Sequence, residues 1–253
     1  MLAYVLGHEL VPLLAMDPVL HYYPLLACYS EMRAPVTVWK DSDGFIRGCL
    51  VACDPPGRAW LVAGSHEAAE GLVGEAPADM AITLPIWADY LVETQCPGRV
   101  LSTDAIAVCT RGSFRPQAPP EGVEVTPLET IPSEVDTCSA TSTVQAMHLG
   151  CMIEGALAGY CTFALDGRRS GSVDRLVVAR EWRGADIGKV LMGSAVAAIF
   201  QDADRVVFAA AGDNQTALGV ARTVGFRTCY WLKCASVDRS DSSDAAGTRH
   251  YRP

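Results

Sequence analysis

Leu176-Val177-Val178-Ala179-Arg180-Glu181-Trp182-Arg183-Gly184-Ala185-Asp186-Ile187-Gly188-Lys189-Val190-Leu191 changes character twice. An apolar run suited to a strand gives way to a glycine-containing turn. From there Ile187, Val190, Leu191, Ala195 and Ala198 recur at helical spacing, which predicts a helix beginning near Ala185. A helix start presents backbone N–H groups without intrahelical acceptors, at the positive end of the dipole, and so forms an anion site. Gly184 and Gly188 would let a phosphate approach the backbone, and Arg183 and Lys189 add local positive charge. Two better-known phosphate loops do not fit. A Walker A loop needs Ser or Thr after Gly188-Lys189, where Val190 stands, and the dinucleotide fingerprint needs a third glycine.

Working outward, the flanking segments alternate. Downstream, Val206 to Ala210 reads as a buried strand, Gln215 to Val224 as a helix and Phe226 to Leu232 as a last strand. Upstream, Val123 to Leu128 reads as a strand, followed by a partly helical connection from Glu129 to His148. Cys151 to Leu165 holds two short strands, a turn lies near 167–171, and Ser172 to Val178 forms another strand. Residues 112–122, with three prolines and two glycines, read as an extended linker. The tail over 237–253 has little apolar content to bury and is expected to be disordered.

Residues 1–111 form an N-terminal α/β half. Val36 to Trp39 and Phe45 to Val51 flank Asp41-Ser42-Asp43-Gly44, a hairpin signature. Ala59 to Ala63 is a third strand, Ser65 caps a short helix over 66–73, and a further strand covers Ala105 to Cys109. This half carries no chemical motif of its own, and no repeat of fixed period runs through the chain.

The central stretch resembles the GNAT superfamily of N-acetyltransferases. The family's R/Q-x-x-G-x-G/A motif is matched by Arg183-Gly184-Ala185-Asp186-Ile187-Gly188 except at its first glycine, where Asp186 stands. Val178 to Gly184 is similar to the family's approach to that motif, with Trp182 for its aromatic. A second element, Asn214, Ala217 and then Gly225-Phe226, follows in order. The resemblance covers roughly residues 122–236. It implies an α/β (α+β) fold with a mixed, mostly antiparallel sheet flanked by helices over 123–236. The N-terminal half would be a degenerate copy, from which the strand near Asp104 to Cys109 could reach across to the catalytic half.

The resemblance also implies chemistry. Acetyl-CoA, or another acyl-CoA, would be the cosubstrate. Its diphosphate would rest on the backbone of Gly184, Ala185, Asp186, Ile187, Gly188 and Lys189, beside Arg183. The pantetheine arm would run along Leu176, Val177 and Val178, with Asn214 and Ala217 opposite. Asp174 stands where many members carry a strand glutamate and would be the general base, with Glu154 and His148 as alternatives. A member's usual tyrosine acid is replaced by Ala221, which leaves Tyr230 as the nearest substitute. The acceptor would be a primary amine of a small molecule or peptide. A non-catalytic acyl-CoA sensor or scaffold is the other reading, because Asp186 and Ala221 both depart from the motif.

Composition bounds these expectations. The chain has 253 residues, 50% of them hydrophobic, with 29 acidic against 20 basic side chains and a net charge of -9. That balance argues against a broad phosphate-binding surface, so no nucleic-acid partner is expected. The apolar N-terminus lacks a basic flank, and His8, Glu9, Asp17 and His21 interrupt it. No uncharged apolar run of about 18 residues follows, so no membrane span is expected. Ten cysteines without a CxxC pair, and five scattered histidines, suit reduced buried thiols rather than a metal site. A cytoplasmic monomer or homodimer is expected.

Overall fold

Asp41 shows how closely local chemistry shapes this chain. Its Oδ1 accepts from the amides of Asp43 (3.0 Å) and Phe45 (2.9 Å), and Gly44 takes a positive φ of 84°. The turn joins β2 (Pro35–Lys40) to β3 (Ile46–Cys53), with a one-residue register shift between Trp39↔Gly48 and Lys40↔Ile46. The computed structural model describes residues 1–30, 35–53, 58–131, 146–166 and 169–237. Before the hairpin stand β1 (Leu2–Leu6), α1 (Gly7–Leu14) and α2 (Tyr22–Ser30). After it come β4 (Arg58–Ala63), α3 (His66–Val73), β5 (Ala81–Pro85), α4 (Asp89–Gln95) and β6 (Arg99–Thr110).

From its second strand on, the second half repeats the order found from β2 to β6. It runs through β7 (Val123–Leu128), β8 (Met147–Ile153), β9 (Ala156–Leu165), β10 (Ser170–Val178), α5 (Ile187–Asp202), β11 (Arg205–Ala211), α6 (Gln215–Val224) and β12 (Arg227–Val237). Glu154 and Gly155, both at positive φ, make the two-residue turn between β8 and β9, the geometry that matches strand twist. Most of the expected connection over 129–148, and the tail beyond residue 237, lie outside the described residues.

Twelve strands form one sheet in the order β1-β2-β3-β4-β5-β12-β6-β11-β10-β9-β8-β7. The order is reciprocal about its centre. The last strand of each half pairs with the fifth strand of the other. β6 lies along β11 from Arg205↔Thr110 to Ala211↔Asp104, and β12 lies along β5 from Leu232↔Pro85 to Ala235↔Ile82. The strand expected to reach across does so, and it is longer than expected, starting at Arg99.

Helix α5 is apolar nearly all round, with Ile187, Val190, Leu191, Ala195, Ile199 and Phe200 buried. Such a helix must be covered on both sides. The sheet covers one side, and the 112–122 segment covers part of the other. There Phe114 meets Phe200 edge-on at 5.5 Å, and Gln117 packs on Gly193. Gly225, at φ 110°, ends α6 where the 112–122 segment passes. A Cβ there would lie 2.0 Å from the Ser113 carbonyl oxygen, so no other residue fits without movement.

Several elements escaped the sequence reading, which had no strand or helix over 1–30 and none over 76–97. β1 has exposed apolar side chains at Leu2, Tyr4 and Leu6, because it is a sheet edge. α1 carries Pro12 in its interior, normally a breaker, and is held by the buried Leu10 and Leu14. β5 and α4 are too short for periodicity to show.

Candidate active site

The site begins where two parallel strands part. β10 and β11 pair from Ser170↔Arg205 to Val173↔Phe208, and the ladder ends there. β11 continues beside β6, whereas β10 turns away at a bulge. Val173 pairs Phe163 and Arg175 pairs Thr162, so Asp174 is the extra residue. Beyond it Leu176 and Val178 pack against the α5 core, and the fork opens between them and Ala209 to Ala211.

The fork leads to the start of α5. A short 3-10 turn over Arg180–Trp182 packs Trp182 against the core, and Arg183 Nε donates to the Val178 carbonyl at 3.3 Å. Gly184 and Asp186 both take positive φ, 89° and 60°. The first motif glycine is therefore replaced at a position whose backbone is left-handed, a conformation that Asp adopts more readily than most residues. The Asp186 carboxylate does not cap the helix. Its Oδ1 lies 2.7 Å from Lys189 Nζ, so the pair neutralises itself. The amides of Ile187 and Gly188 begin the helix and have no backbone acceptor, while that of Lys189 donates to Asp186 at 3.0 Å.

Gly188 sits where β10, α5 and α6 converge. A Cβ there would lie 3.6 Å from Val178 and 3.7 Å from Leu176 and Val220, ordinary contact at the edge of the fork. Across the fork, Asn214 caps α6, its Oδ1 accepting from the Ala217 amide at 3.1 Å. Asn214 itself is exposed. Two unpaired amides, a left-handed turn and a parted pair of strands suit a diphosphate with a linear arm. The residues present therefore fit coenzyme A, with Asp186–Lys189 as the local departure.

Asp174 keeps a small opening to solvent, but protein encloses it densely, and burial pushes its carboxyl up to about 6 against an opposing Ser172 hydroxyl. Tyr22, from the N-terminal half, is close enough to feel both groups. Yet the hydroxyls of Tyr22 and Ser172 are buried without a geometrically formed hydrogen bond, as is that of Tyr160 on β9. Nothing in the sequence pointed to Tyr22, because only tertiary packing sets it beside β10.

The other candidates are dispersed. Glu154 lies exposed in the β8–β9 turn. His148 Nδ1 is 3.0 Å from Thr162 Oγ1, and burial lowers the pKa of its ring. Ala221 is buried inside α6. Tyr230 is not brought to the fork. It lies on β12, two strand spacings or about 10 Å from β11. Its hydroxyl donates to Asp17 Oδ2 at 2.5 Å; that bond, then burial, raises its pKa to about 12. Burial pushes the Asp17 carboxyl up, but the Tyr230 hydroxyl and the Leu20 and Val19 amides outweigh it and hold it low. Among the described residues no group of three or more His, Cys, Asp or Glu is placed to hold a metal, and no helix is long and apolar enough to cross a membrane.

Known proteins share this architecture. Residues 117–226 match the acetyltransferase (GNAT) family. A tandem GNAT protein from the clavulanic acid biosynthesis pathway is 16% identical, with 93% of this chain and 98% of that one covered and a TM-score of 0.57. A Drosophila protein is 10% identical over 93% and 98%, with a TM-score of 0.67. A GCN5-related N-acetyltransferase from Sphaerobacter thermophilus is 12% identical over 93% and 94%, with a TM-score of 0.64. No curated protein matches the chain. The parted strands, the glycine turn into α5 and the reciprocal halves thus belong together: the chain has a two-half GNAT fold, and its residues 117–226 match the acetyltransferase (GNAT) family.

Proposed function

We propose that the chain transfers an acyl group, acetyl first of all, from coenzyme A to a primary amine of a small molecule or peptide. The observation that carries this is the fork at Val173↔Phe208, which opens onto the unpaired amides of Ile187 and Gly188 with Asp174 at its apex. Coenzyme A would supply the activated thioester. The chain's own part is to hold the diphosphate on the α5 start, line the arm with Leu176 to Val178, and accept a proton from the acceptor's ammonium at Asp174. A carboxyl titrating near 6 is ionised at neutral pH yet basic enough for that work. Ala221 offers no hydroxyl, so the departing thiolate takes its proton from solvent or from the one Asp174 has gained.

Among the described residues the cysteine thiols are free. That supports a reducing compartment, and we place the reaction in the cytoplasm. The test is release of free thiol from acetyl-CoA in the presence of mixed small amines. Amine-dependent release supports transfer. Coenzyme A binding without release for any amine replaces it with the non-catalytic sensor.

A further inference from the structure

The N-terminal half has a fork of its own. The parallel β4–β5 ladder runs from Arg58↔Ala81 to Trp60↔Thr83 and ends, just as β10–β11 ends at Val173↔Phe208. Between the parted strands lies an open cleft of about 130 Å³, walled by Trp60, Trp87, Leu84 and Pro24.

The two forks differ at the helix they lead to. Residues 179–186 join β10 to α5, but only Gly64 and Ser65 join β4 to α3. The Ser65 hydroxyl already accepts from the Ala68 amide at 3.2 Å, and Glu67 puts a negative charge in the first turn. A diphosphate has no seat there, so a nucleotide-bearing ligand is not what this cleft holds.

The polar groups that line the cleft are uncharged. His21 Nδ1 lies 3.1 Å from the Leu14 carbonyl, which makes Nδ1 the N–H donor and leaves Nε2 as an acceptor. Burial lowers the ring's pKa, which keeps it neutral. Thr83 is 1% exposed, and its Oγ1 has no hydrogen-bond partner. Across the ladder it faces Cys234, whose thiol is a weak partner. A buried hydroxyl in a cleft wall with only a weak thiol beside it is a group that a ligand can satisfy. Apolar walls with a few convergent polar groups are the usual form of a small-molecule site.

We propose that the N-terminal cleft is a binding site in its own right for a small, uncharged aryl alcohol or aryl amide, which contacts the Trp60 and Trp87 indoles and bonds to Thr83 and His21. The site is independent of the acyl transfer proposed above. The test uses the full chain, with saturation-transfer NMR and calorimetry on 4-hydroxybenzamide and benzyl alcohol, 4-hydroxybenzoate as the charged control and acetyl-CoA as competitor. Saturable binding of at least one neutral probe is expected, with the benzoate about tenfold weaker and no displacement by acetyl-CoA. Thr83→Val should weaken the neutral probe about fivefold by removing its hydrogen bond. Trp87→Ala, at a partly exposed position that does not threaten folding, should weaken it about tenfold. Neither substitution should alter acetyl-CoA affinity. The proposal is overturned if neither neutral probe saturates, if the benzoate binds as tightly, if acetyl-CoA displaces the probe, or if neither substitution changes its affinity.

Discussion

Lys189 Nζ and Asp186 Oδ1 lie 2.7 Å apart across the first turn of α5, so the carboxylate that replaces a motif glycine carries its own counter-ion. Both side chains are partly exposed, and the pair is worth little to folding. Its consequence is for binding. Asp186→Gly removes the negative charge, suits the left-handed backbone and frees Lys189 for a phosphate. Acetyl-CoA should then bind about fivefold tighter by calorimetry. Lys189→Ala should weaken binding while leaving the melting temperature nearly unchanged.

Gly188 tests the same site sterically. Gly188→Ala adds a methyl at ordinary contact distance, so a folded protein with near-native affinity is expected. Gly188→Glu sends bulk and charge from the junction of Val178, Leu176 and Val220 into the fork, and acetyl-CoA binding should be lost. Unchanged affinity in a folded Gly188→Glu protein would falsify the assignment of the coenzyme site.

Asp174 links activity to stability. Its folded pKa, about 6, lies above the ordinary value of 3.8, so the folded state holds this proton more tightly than the unfolded one. The associated stability is complete below about pH 4 and is lost as pH rises through about 6. Asp174→Asn removes the buried charge and should stabilise the protein at pH 8 by about 2 kcal/mol, with a smaller gain at pH 5. The same change should lower amine-dependent turnover and abolish its rise through pH 6. Denaturant melts at the two pH values and a pH–rate profile measure both effects.

Tyr22 is buried beside β10 with its hydroxyl unpaired. Tyr22→Phe should therefore cost no more than a few tenths of a kcal/mol in stability, since no hydrogen bond is broken. If the acceptor meets this hydroxyl, KM for the amine rises several-fold while KM for acetyl-CoA stays put. A drop in kcat with both KM values unchanged would place Tyr22 away from the acceptor.

The exchanged strands make each half depend on the other. Residues 112–253 expressed alone lack β6, which separates β11 from β12. Those strands would expose unpaired edges, and the fragment should be unfolded or aggregated by circular dichroism and light scattering. Co-expression with residues 1–111 should restore a soluble complex. A monomeric, cooperatively folded fragment would contradict this.

Features that residues decide among near neighbours were legible in the sequence. The Asp41 turn, the Ser65 cap, the apolar repeat of α5 and the glycine turn before it each depend on side chains a few positions apart. The site proposed for coenzyme A rests on the same kind of signal, since most of it is one contiguous strand–turn–helix. The apex of the fork was half legible: Asp174 stood out by its place on a strand, but its bulge and its enclosure did not. Tyr230 was placed by elimination, and the strand order sets β6 between it and the fork.

The sequence by itself thus determined the local elements, the linker's irregular course and the glycine turn into the α5 start, because backbone preference and short-range hydrogen bonds act within a turn or two. Only the tertiary structure decided that β6 and β12 change places, that Tyr22 lies beside Asp174, and that a second fork survives between β4 and β5. Those pairings join residues as far apart in the chain as Ile82 and Ala235. Burial and strand-edge satisfaction choose among them only when the whole sheet closes.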